Sequence, residues 1–479
     1  MQIEKGPDGL VWAFRCGHAV RPFGFSVIAR AQEPDVALSV SEKFGTDAPI
    51  ILVLRDLESW YSATVSSEYI ARIADRLLDD LMENFPAVLV IGPRACGKTT
   101  TARRHARTVI QLDRDAEAAV VRADPEGALD VDRPVLLDEW QVAPEVLGAV
   151  KRAVDARPGP GAFLITGSVR SDLEAEGWPL TGRAIRVEMY GLAQREIEGA
   201  ADLTPLFDRL RSDPEGSLRG ATTDLTLNDY LDFAIRGGYP DSVLASSASA
   251  RNRWLRAYVD QVVSRDAELV DSGRDPIKLR RYLHALCLNT AGVTVAKTLY
   301  EAAGINSRTA QAYDRLLGNL LLVEEVPAWW SNRLKRLAKT PKRYIIDPAV
   351  ATAVLQIDRQ GLRRDADMVG RMLDTFVASQ LRVEANLGES DPVLHHLRTS
   401  DQLHEVDLLA EYPDGSVFAF EIKSSAAVTA KDGRHLAWLR DELGDRFIGG
   451  AVLHTGPRSF PLGDRVVAAP IAALWSRPK

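Results

Sequence analysis

The sequence predicts an α/β protein: a parallel β-sheet with helices on both faces, then a helical region, then a smaller α/β domain. Short apolar runs alternate with helical stretches between residues 66 and 200, the pattern of a covered parallel sheet. After about residue 200 helical patterns dominate, with one hairpin-like stretch, and from about residue 365 strand and helix patterns alternate again. The chain has 479 residues, enough for about three domains at roughly 150 residues each.

The composition is that of an ordinary globular protein. Hydrophobic residues make up 46% and charged residues 26% of the sequence, so large cores can form. The net charge of −7 restricts any nucleic-acid contact to a local basic patch. Cys16, Cys96 and Cys287 lie far apart, which argues against a disulfide framework and a zinc site. No apolar run reaches the ~20 residues of a membrane span, and no signal peptide is recognisable, so a cytoplasmic setting without membrane contact is expected.

Residues 1–65 differ from the remainder of the chain. They are rich in turn formers and lack helical periodicity. Residues 48–58, APIILVLRDLE, could form one strand, but no second strand to pair with it is evident. A poorly ordered N-terminal extension is therefore expected, either an appended segment or translation upstream of the true start.

The first large domain, residues 66–200, is predicted to begin with a helix and to contain five strands. Apolar residues between Ile70 and Leu81 recur at helical spacing, after a serine that can cap the helix. The predicted strands are AVLVI at 87–91, TVIQL at 108–112, PVLLDEW at 134–140, AFLIT at 162–166 and RAIRVEMY at 183–190.

Three further regions follow. Residues 201–275 are interpreted as a helical lid or linker. Residues 276–356 contain short helices and then a hairpin, an order that resembles a winged helix. Residues 356–368, QIDRQGLRRDADM, are polar and are interpreted as a linker. Residues 365–479 run from a helix through two strands to another helix and strand, the second α/β domain.

The clearest chemical signal is GPRACGKTT at 92–100, which has the spacing G-x-x-x-x-G-K-[ST] of a phosphate-binding loop. It follows a predicted strand and opens a helix, as such a loop must. Gly92 and Gly97 allow the backbone N–H groups to turn inward, and the helix N-terminus adds partial positive charge. Lys98 is expected to reach the β- and γ-phosphates of ATP, and Thr99 to bind Mg²⁺ through its hydroxyl. The alternative is a glycine turn that carries Lys-Thr by chance.

Two acids end the third strand. Asp138 is expected to complete the Mg²⁺ shell, and Glu139 to polarise the attacking water as general base. The alternative is a strand that ends in solvated carboxylates. Thr166 and Ser168, at the end of the fourth strand, could sense the γ-phosphate or cap a helix. The predicted nucleotide site comprises Gly92, Pro93, Arg94, Ala95, Cys96, Gly97, Lys98, Thr99, Thr100 and Ser168.

Two further residues have open roles. Arg183 could supply charge to the transition state, from this or a neighbouring subunit, or form a surface salt bridge. Cys96 lies beside a helix N-terminus and could be oxidised there, or it could be a small filler.

Carboxylates and a lysine converge in EVDLLAEYPDGSVFAFEIKS at 405–424. Pro-Asp-Gly marks a turn between two alternating strands. Glu421 and Lys423 point to one face, and the hairpin can bring Asp407 near them. Asp407 and Glu421 would hold Mg²⁺ while Lys423 positions or deprotonates water to cut a phosphodiester, with Asp374 as a further acid. A structural ion pair is the alternative.

A basic stretch, WWSNRLKRLAKTPKRY at 329–344, is the candidate DNA contact. Its cations could bind phosphates while its tryptophans stack on bases. The alternative is a solvated hairpin whose lysines prevent edge aggregation. The residues are Trp329, Trp330, Arg333, Lys335, Arg336, Lys339, Lys342 and Arg343.

The order of these motifs resembles a family of prokaryotic ATP-binding proteins. Its members join an AAA-type ATPase core to a C-terminal domain of unknown function with a PD-(D/E)xK, restriction-endonuclease-like fold. The resemblance covers about residues 66–479. It rests on RIADRLLDDL, GPRACGKTT, LLDEWQ, LITGS, GRAIRVEMYGL, GGYPD, SRDAEL, EVDLLAE and EIKSS, in that order.

The resemblance implies two sites. It implies ATP binding and nuclease-like chemistry, with two departures: Cys96 replaces the frequent Thr or Ser, and Asp374 the common Glu. The implied positions are Gly92, Gly97, Lys98, Thr99 and Asp138 for ATP, and Asp407, Glu421 and Lys423 for the nuclease-like site.

Two functional hypotheses remain. The first is a Mg²⁺-dependent ATPase whose nucleotide state moves a DNA-contacting region and a nuclease-like domain. The second is a non-catalytic, ATP-dependent switch whose C-terminal domain binds DNA or protein without cutting. A P-loop kinase for a small molecule is a third, disfavoured by Glu139 beside Asp138. A homo-oligomer is compatible with each.

Overall fold

A computed structural model of the protein divides into two compact units, Met1–Tyr69 and Ile70–Lys479. The structure describes the backbone of five strands between residues 2 and 53. It then describes residues 69–477, except 169–178, 267–274, 331–338 and 400–402.

The first unit contains an antiparallel sheet whose five strands are neighbours in chain order. The last of them, Ile50–Val53, pairs with the fourth in a register that sets Leu52 opposite Leu38. The expectation that this strand has no partner is therefore wrong. The alternation of Val36, Leu38 and Val40 with small or polar residues is a strand signal that the prediction overlooked. The strands are Gln2–Gly6 (β1), Gly9–Ala13 (β2), Ser26–Gln32 (β3), Asp35–Ser41 (β4) and Ile50–Val53 (β5).

The second unit begins with a parallel sheet of five strands, which confirms the predicted core. The strands are Ala87–Ile91 (β6), Thr108–Gln111 (β7), Val135–Asp138 (β8), Phe163–Gly167 (β9) and Ala184–Glu188 (β10). Their order is β10-β6-β9-β8-β7, so β6, which leads into the glycine loop, lies inside the sheet. The helices of this part are Ile73–Asn84 (α1), Lys98–Arg104 (α2), Asp115–Ala123 (α3), Pro125–Ala128 (α4), Val146–Ala156 (α5) and Gln194–Ile197 (α6).

Side chains of β6 are buried on both faces of the sheet. Leu89 and Ile91 join an apolar cluster that includes residues of α5. Val88 and Val90 point the other way and join a cluster that includes residues of α1. A strand covered on both faces is continuously apolar, which is why the run AVLVI was recognisable in the sequence.

The middle region is helical. Three helices, α11 to α13, precede an antiparallel hairpin, which is the predicted order of elements; the winged-helix assignment stays a prediction. The helices are Leu206–Ser212 (α7), Leu227–Arg236 (α8), Pro240–Val243 (α9), Ala248–Gln261 (α10), Pro276–Leu288 (α11), Ala296–Ala303 (α12), Ser307–Asn319 (α13), Pro348–Leu355 (α14) and Arg359–Leu362 (α15). The hairpin strands are Val323–Val326 (β11) and Lys342–Ile345 (β12).

The predicted linker at 356–368 is largely helical. It contains α15 and the first residues of the long helix Ala366–Leu387 (α16). Asp358 and Asp365, which made the segment look polar, each cap a helix by accepting a hydrogen bond from the backbone, at Gly361 and Met368. The interpretation as a linker is therefore wrong.

The C-terminal part is a mixed sheet of six strands with α16 packed against it. The sheet order is β13-β14-β15-β16-β18-β17, with parallel pairs only between β15 and β16 and between β16 and β18. This confirms a second α/β part; the restriction-endonuclease-like assignment stays a prediction. The elements are Val393–Arg398 (β13), Glu405–Glu411 (β14), Val417–Ile422 (β15), Arg434–Leu443 (α17), Phe447–His454 (β16), Phe460–Gly463 (β17) and Val466–Pro470 (β18).

Helix α16 connects the three parts of the second unit. One apolar cluster, from Leu206 to Trp475, contains residues of the middle helices, of α16 and of the C-terminal sheet. Near its C-terminal end, α16 also contacts the first domain. Gln380 accepts a hydrogen bond from the backbone N–H of Gln194 at 2.6 Å, and Glu384 pairs with Arg195 at 3.0 Å. Among the described helices, none combines the length and apolar character that crossing a membrane requires.

Asp347 is a buried carboxyl group at the start of α14. Its two oxygens accept hydrogen bonds from the backbone N–H groups of Gly238 and Ala349, each at 2.8 Å. Burial nevertheless raises the pKa of Asp347 to about 6, because these N–H donors only partly replace water.

The raised pKa predicts a specific pH dependence of stability. The contribution of protonated Asp347 is fully present below its usual pKa of 3.8 and is lost as the pH rises through about 6. Between pH 5 and pH 7, the free energy of unfolding should fall by about 1 kcal/mol more for the wild type than for Asp347→Asn. Urea unfolding at both pH values measures this difference. Parallel pH profiles for the two proteins would refute it.

Candidate functional sites

The glycine loop, residues 92–97, connects β6 to α2. Gly97 has a φ of 99°, a left-handed conformation that favours glycine. A Cβ atom on Gly92 would lie 1.9 Å from the carbonyl oxygen of Met189, so no larger residue fits there. The loop therefore packs directly against the chain that leaves β10, and its backbone shape depends on this close approach.

Lys98 is buried at the start of α2. Its ammonium group donates hydrogen bonds to the carbonyl oxygens of Gly92 and Pro93, both at 2.9 Å. The positive charge is thus held over the loop. Of the other loop residues, the side chains of Ala95 and Thr100 are exposed.

A buried arginine that the sequence did not single out contacts the loop. Arg72 donates to the carbonyl oxygens of Cys96 at 3.0 Å and Tyr190 at 2.7 Å, and it pairs with Glu196 at 3.0 Å. Its partners at Tyr190 and Glu196 lie 118 and 124 positions away in the chain, so no local pattern could reveal them. Because the ion pair is buried, loss of either partner would leave an uncompensated charge.

The carboxylate of Asp138 lies beside the loop. Its Oδ1 atom accepts hydrogen bonds from the hydroxyl groups of Thr99 at 2.7 Å and Thr166 at 2.5 Å. Hydroxyl and carboxylate oxygens are the protein ligands that Mg²⁺ prefers, and here they come from the loop helix and from β8. The residues present therefore fit the metal predicted at this point.

Glu139 follows Asp138 in a left-handed conformation, with φ 57° and ψ 52°. Few residues other than glycine adopt this conformation, and such strain is concentrated at functional sites. Its carboxylate accepts hydrogen bonds from Ser168 at 3.1 Å and from the side-chain amide of Gln141. Ser168 therefore lies within hydrogen-bonding distance of Glu139, the predicted general base.

The structure distinguishes between the alternative roles of Cys96 and of Arg183. Cys96 is buried, and its thiol points at the carbonyl oxygen of Met189 at 3.4 Å, as a small filler would. Arg183 lies at the amino end of β10 and pairs with Asp155 at 2.7 Å. Because β10 and β6 are parallel, the glycine loop lies at the opposite edge of the sheet. The prediction that a chain supplies its own Arg183 to the transition state is therefore wrong.

The predicted C-terminal residues line one cleft of about 550 Å³. Asp374 comes from α16, Asp407 from β14 and Glu421 from β15, with Lys423 just beyond that strand. Lys423 pairs with Glu421 Oε1 at 2.6 Å, and Asp407 Oδ2 accepts from the backbone N–H of Ile422 at 2.9 Å. The structure thus brings together the acids and the lysine that the sequence singled out.

A second lysine enters this acid cluster from the hairpin. The ammonium group of Lys342 lies 2.6 Å from Asp374 Oδ2 and 3.3 Å from Asp407 Oδ1. Tyr344, two residues along the same strand, donates to Asp374 Oδ1 at 2.8 Å. The period-2 pattern of KRYII places Lys342 on the face of buried Tyr344, a signal that the prediction missed.

The cluster shifts the acid–base equilibria of its members. Burial raises the pKa of Asp374 to about 7, although Lys342 acts in the opposite direction. Burial and the nearby Asp407 also raise the pKa of Glu421. Burial acts to lower the pKa of Lys423, but the attraction of Glu421 and Asp407 and the hydrogen bond to Glu421 together outweigh it, so the pKa of Lys423 is raised.

Several residues of the predicted DNA-contacting patch are buried or already paired within the protein. Lys342 is only 2% exposed and Trp329 only 4%, so neither can contact a nucleic acid in this conformation. Arg343 pairs with Glu325 at 2.9 Å, and the Lys339 ammonium lies 4.9 Å from the centre of the Trp330 ring. Three further cations lie outside the described residues: Arg333, Lys335 and Arg336.

A divalent metal fits the C-terminal cluster poorly. Asp374 and Asp407 both contact the ammonium group of Lys342, at 2.6 Å and 3.3 Å. Both oxygens of Asp407 already accept hydrogen bonds, and one of the donors is a cation. The Mg²⁺ ion predicted between Asp407 and Glu421 therefore has no clear place in this arrangement.

Comparison with known proteins identifies the first domain. Residues 84–198 match the family described as AAA domain. These residues form an AAA-type P-loop ATPase domain. Two domains of unknown function follow it, DUF8612 at 227–361 and DUF4143 at 369–474. The AAA domain at residues 84–198 implies nucleotide binding, so the sequence-based expectation of a P-loop ATPase core is confirmed.

Similar whole chains come from mycobacteria. "Uncharacterized protein Rv2008c" of Mycobacterium tuberculosis and "Uncharacterized protein Mb2031c" of Mycobacterium bovis are each 29% identical to this chain over 391 residues. The match covers 80% of this chain and 80% of each relative. Among solved structures, the Walker-type ATPase PABY2304 of Pyrococcus abyssi is 16% identical, with a TM-score of 0.39. That match covers 59% of this chain and 94% of the other.

The position of Arg183 generates a prediction. Arg183→Ala removes an exposed pair with Asp155 and a hydrogen bond to the carbonyl oxygen of Thr181, both away from the glycine loop, so ATP turnover per chain should stay within about twofold of the wild type. Steady-state phosphate release, measured over a range of protein concentrations, tests this. A loss of more than about tenfold that appears only at high protein concentration would instead assign Arg183 to a neighbouring subunit's site.

Proposed function

We propose that this chain binds ATP with Mg²⁺ at the loop 92–100 and hydrolyses it. One observation carries the proposal: the hydroxyl of Thr99, the carboxylate of Asp138 and the hydroxyl of Thr166 meet beside the loop. A metal ligand pair next to a phosphate-binding loop, with a second acid one residue on, is what phosphoryl transfer to water requires.

Each residue has a distinct role in the proposed reaction. The loop N–H groups and Lys98 bind the phosphates, and Thr99 and Asp138 hold Mg²⁺, which supplies neutralisation of phosphate charge when bound. Glu139 accepts a proton from the attacking water. Ser168, whose hydroxyl donates to Glu139 at 3.1 Å, orients that carboxylate.

Lys98→Ala should abolish ATP binding, because it removes the buried charge that faces the loop. Calorimetric titration of the full chain with ATP and Mg²⁺ should then show no heat of association. Lys151→Ala is the matched control, since Lys151 lies in the same domain and forms only an exposed pair with Asp155. ATP binding by Lys98→Ala at wild-type affinity would refute the assignment.

Glu139→Gln should bind ATP normally and hydrolyse it at least ~100-fold more slowly, because the amide cannot accept the proton. Glu145→Gln provides a control, since Glu145 is a nearby carboxylate that pairs with Arg122 at the surface. Binding by calorimetry and turnover by phosphate release separate the two effects. If Glu139→Gln hydrolyses ATP at the wild-type rate, another residue is the base.

For the C-terminal part, we infer a docking role without cutting, in which the ATPase cycle regulates binding of DNA or protein. The observation that favours this over a nuclease is the lysine among the acids, where a nuclease would need a metal. Arg371 and Arg398 also line the cleft, where they pair with Asp367 and Glu405.

A plasmid assay separates docking from cutting. Purified wild type and Lys423→Ala are incubated with plasmid DNA, ATP and Mg²⁺ or Mn²⁺. Docking predicts equally intact plasmid with both proteins, while a gel-shift assay reports any binding. Cutting by the wild type that Lys423→Ala abolishes would establish the nuclease instead.

A further inference from the structure

Three carboxylates of the C-terminal cleft contact two ammonium groups, and the two lysines come from different parts of the chain. Lys423 belongs to the sheet that carries Asp407 and Glu421, and it pairs with Glu421. Lys342 belongs to the hairpin of the middle region and reaches across to Asp374 and Asp407. A cation from one part of the chain thus binds the acids of another.

We propose that Lys342 is an internal cation that takes the place of a divalent metal and keeps the acid cluster closed to metal ions. The inference rests on the proposed docking role and gives a physical reason for the lack of cutting proposed there. Its ammonium group lies 2.6 Å and 3.3 Å from two different carboxylates, within direct ion-pairing distance of both. It is buried, and Tyr344 beside it donates to the other oxygen of Asp374.

One atom in the cluster retains capacity for a ligand. Glu421 is only 6% exposed, and its Oε2 atom is buried without a hydrogen-bond partner among the described residues. A buried carboxylate oxygen without a partner is costly, and a bound cation would satisfy it. Lys342 instead bonds Asp374 and Asp407, so it does not satisfy the Oε2 atom of Glu421.

Charge arithmetic shows why Lys342 matters. If all three are ionised, Asp374, Asp407 and Glu421 carry three negative charges, and the two lysines bring the net charge of the cluster to −1. Without Lys342 the net charge of the cluster would be −2, which matches the charge of a divalent cation. Repulsion from an ammonium group a few ångströms away is strong in a buried cluster, where water screens little.

The test replaces Lys342 by the uncharged Met, which has a similar length. The full chain is titrated calorimetrically with MnCl₂ in the absence of nucleotide, so that metal carried by ATP is not counted. Lys342→Met should bind one Mn²⁺ per chain at least ~10-fold more tightly than the wild type. Addition of Asp407→Asn to Lys342→Met should remove the gain.

Arg343→Met is the matched control, because Arg343 is the next residue of the same strand, lies on its opposite face and pairs with Glu325 instead of the acid cluster. A gain in Mn²⁺ affinity equal to that of Lys342→Met would overturn the inference, and so would no gain in Lys342→Met. If Lys342→Met alone fails to fold, Lys342→Gln takes its place: it also removes the positive charge, but its amide can still donate a hydrogen bond to Asp374, and the same gain in Mn²⁺ affinity is expected.

The result of the Mn²⁺ titration does not depend on whether the proposed ATP hydrolysis is correct. Unchanged phosphate release together with no gain in metal affinity would overturn only the role of Lys342. Loss of ATP binding in Lys98→Ala, by contrast, concerns only the first domain. A gain of plasmid cutting by Lys342→Met with Mn²⁺ would further support the internal cation, because it would reveal the chemistry that Lys342 blocks.

Discussion

The contact between the glycine loop and the chain leaving β10 is the constraint on which the nucleotide site depends. The loop can approach the carbonyl oxygen of Met189 only because residue 92 is glycine. Arg72 fixes the same neighbourhood by bonding the carbonyl oxygens of Cys96 and Tyr190 at once. A phosphate-binding loop works through the direction of its N–H groups, so its supports matter as much as its own sequence. Here the supports are Arg72, which lies just before α1, and the backbone at Met189 and Tyr190, which follows β10.

The two candidate sites differ in the groups that stabilise their buried carboxylates. In the first domain, Asp138 is bonded by hydroxyl groups, which leave room for a metal ion to join. In the C-terminal cleft, Asp374 and Asp407 are bonded by an ammonium group, which already supplies the positive charge. Hydroxyl donors are weak competitors for a divalent ion, whereas a buried lysine is a strong one. The same predicted metal therefore fits one site and not the other.

Local sequence signals predicted much of this architecture. Apolar runs such as AVLVI and the loop spacing revealed the core sheet and its loop because both depend on neighbours in the chain. The role of Lys342 was misjudged because a run of cations resembles a solvated surface, and only pairing with Asp374, 32 positions away, shows that it is buried. Arg183 was misjudged because motif order does not report which edge of a sheet a residue occupies. The polar stretch at 356–368 was misjudged because capping acids and linker acids look alike.

Helix α16 carries a residue of the acid cleft and, further along, residues that contact the ATPase domain. From Asp374 to Glu384 the axial distance is about 15 Å, at roughly 1.5 Å per residue. A single, largely buried helix is stiff over that length, so it moves as one piece. Any displacement of Gln194 or Arg195 during a nucleotide cycle would thus be carried along the helix axis to Asp374. Asp374 and the residues that contact the ATPase domain therefore belong to one rigid element of the fold.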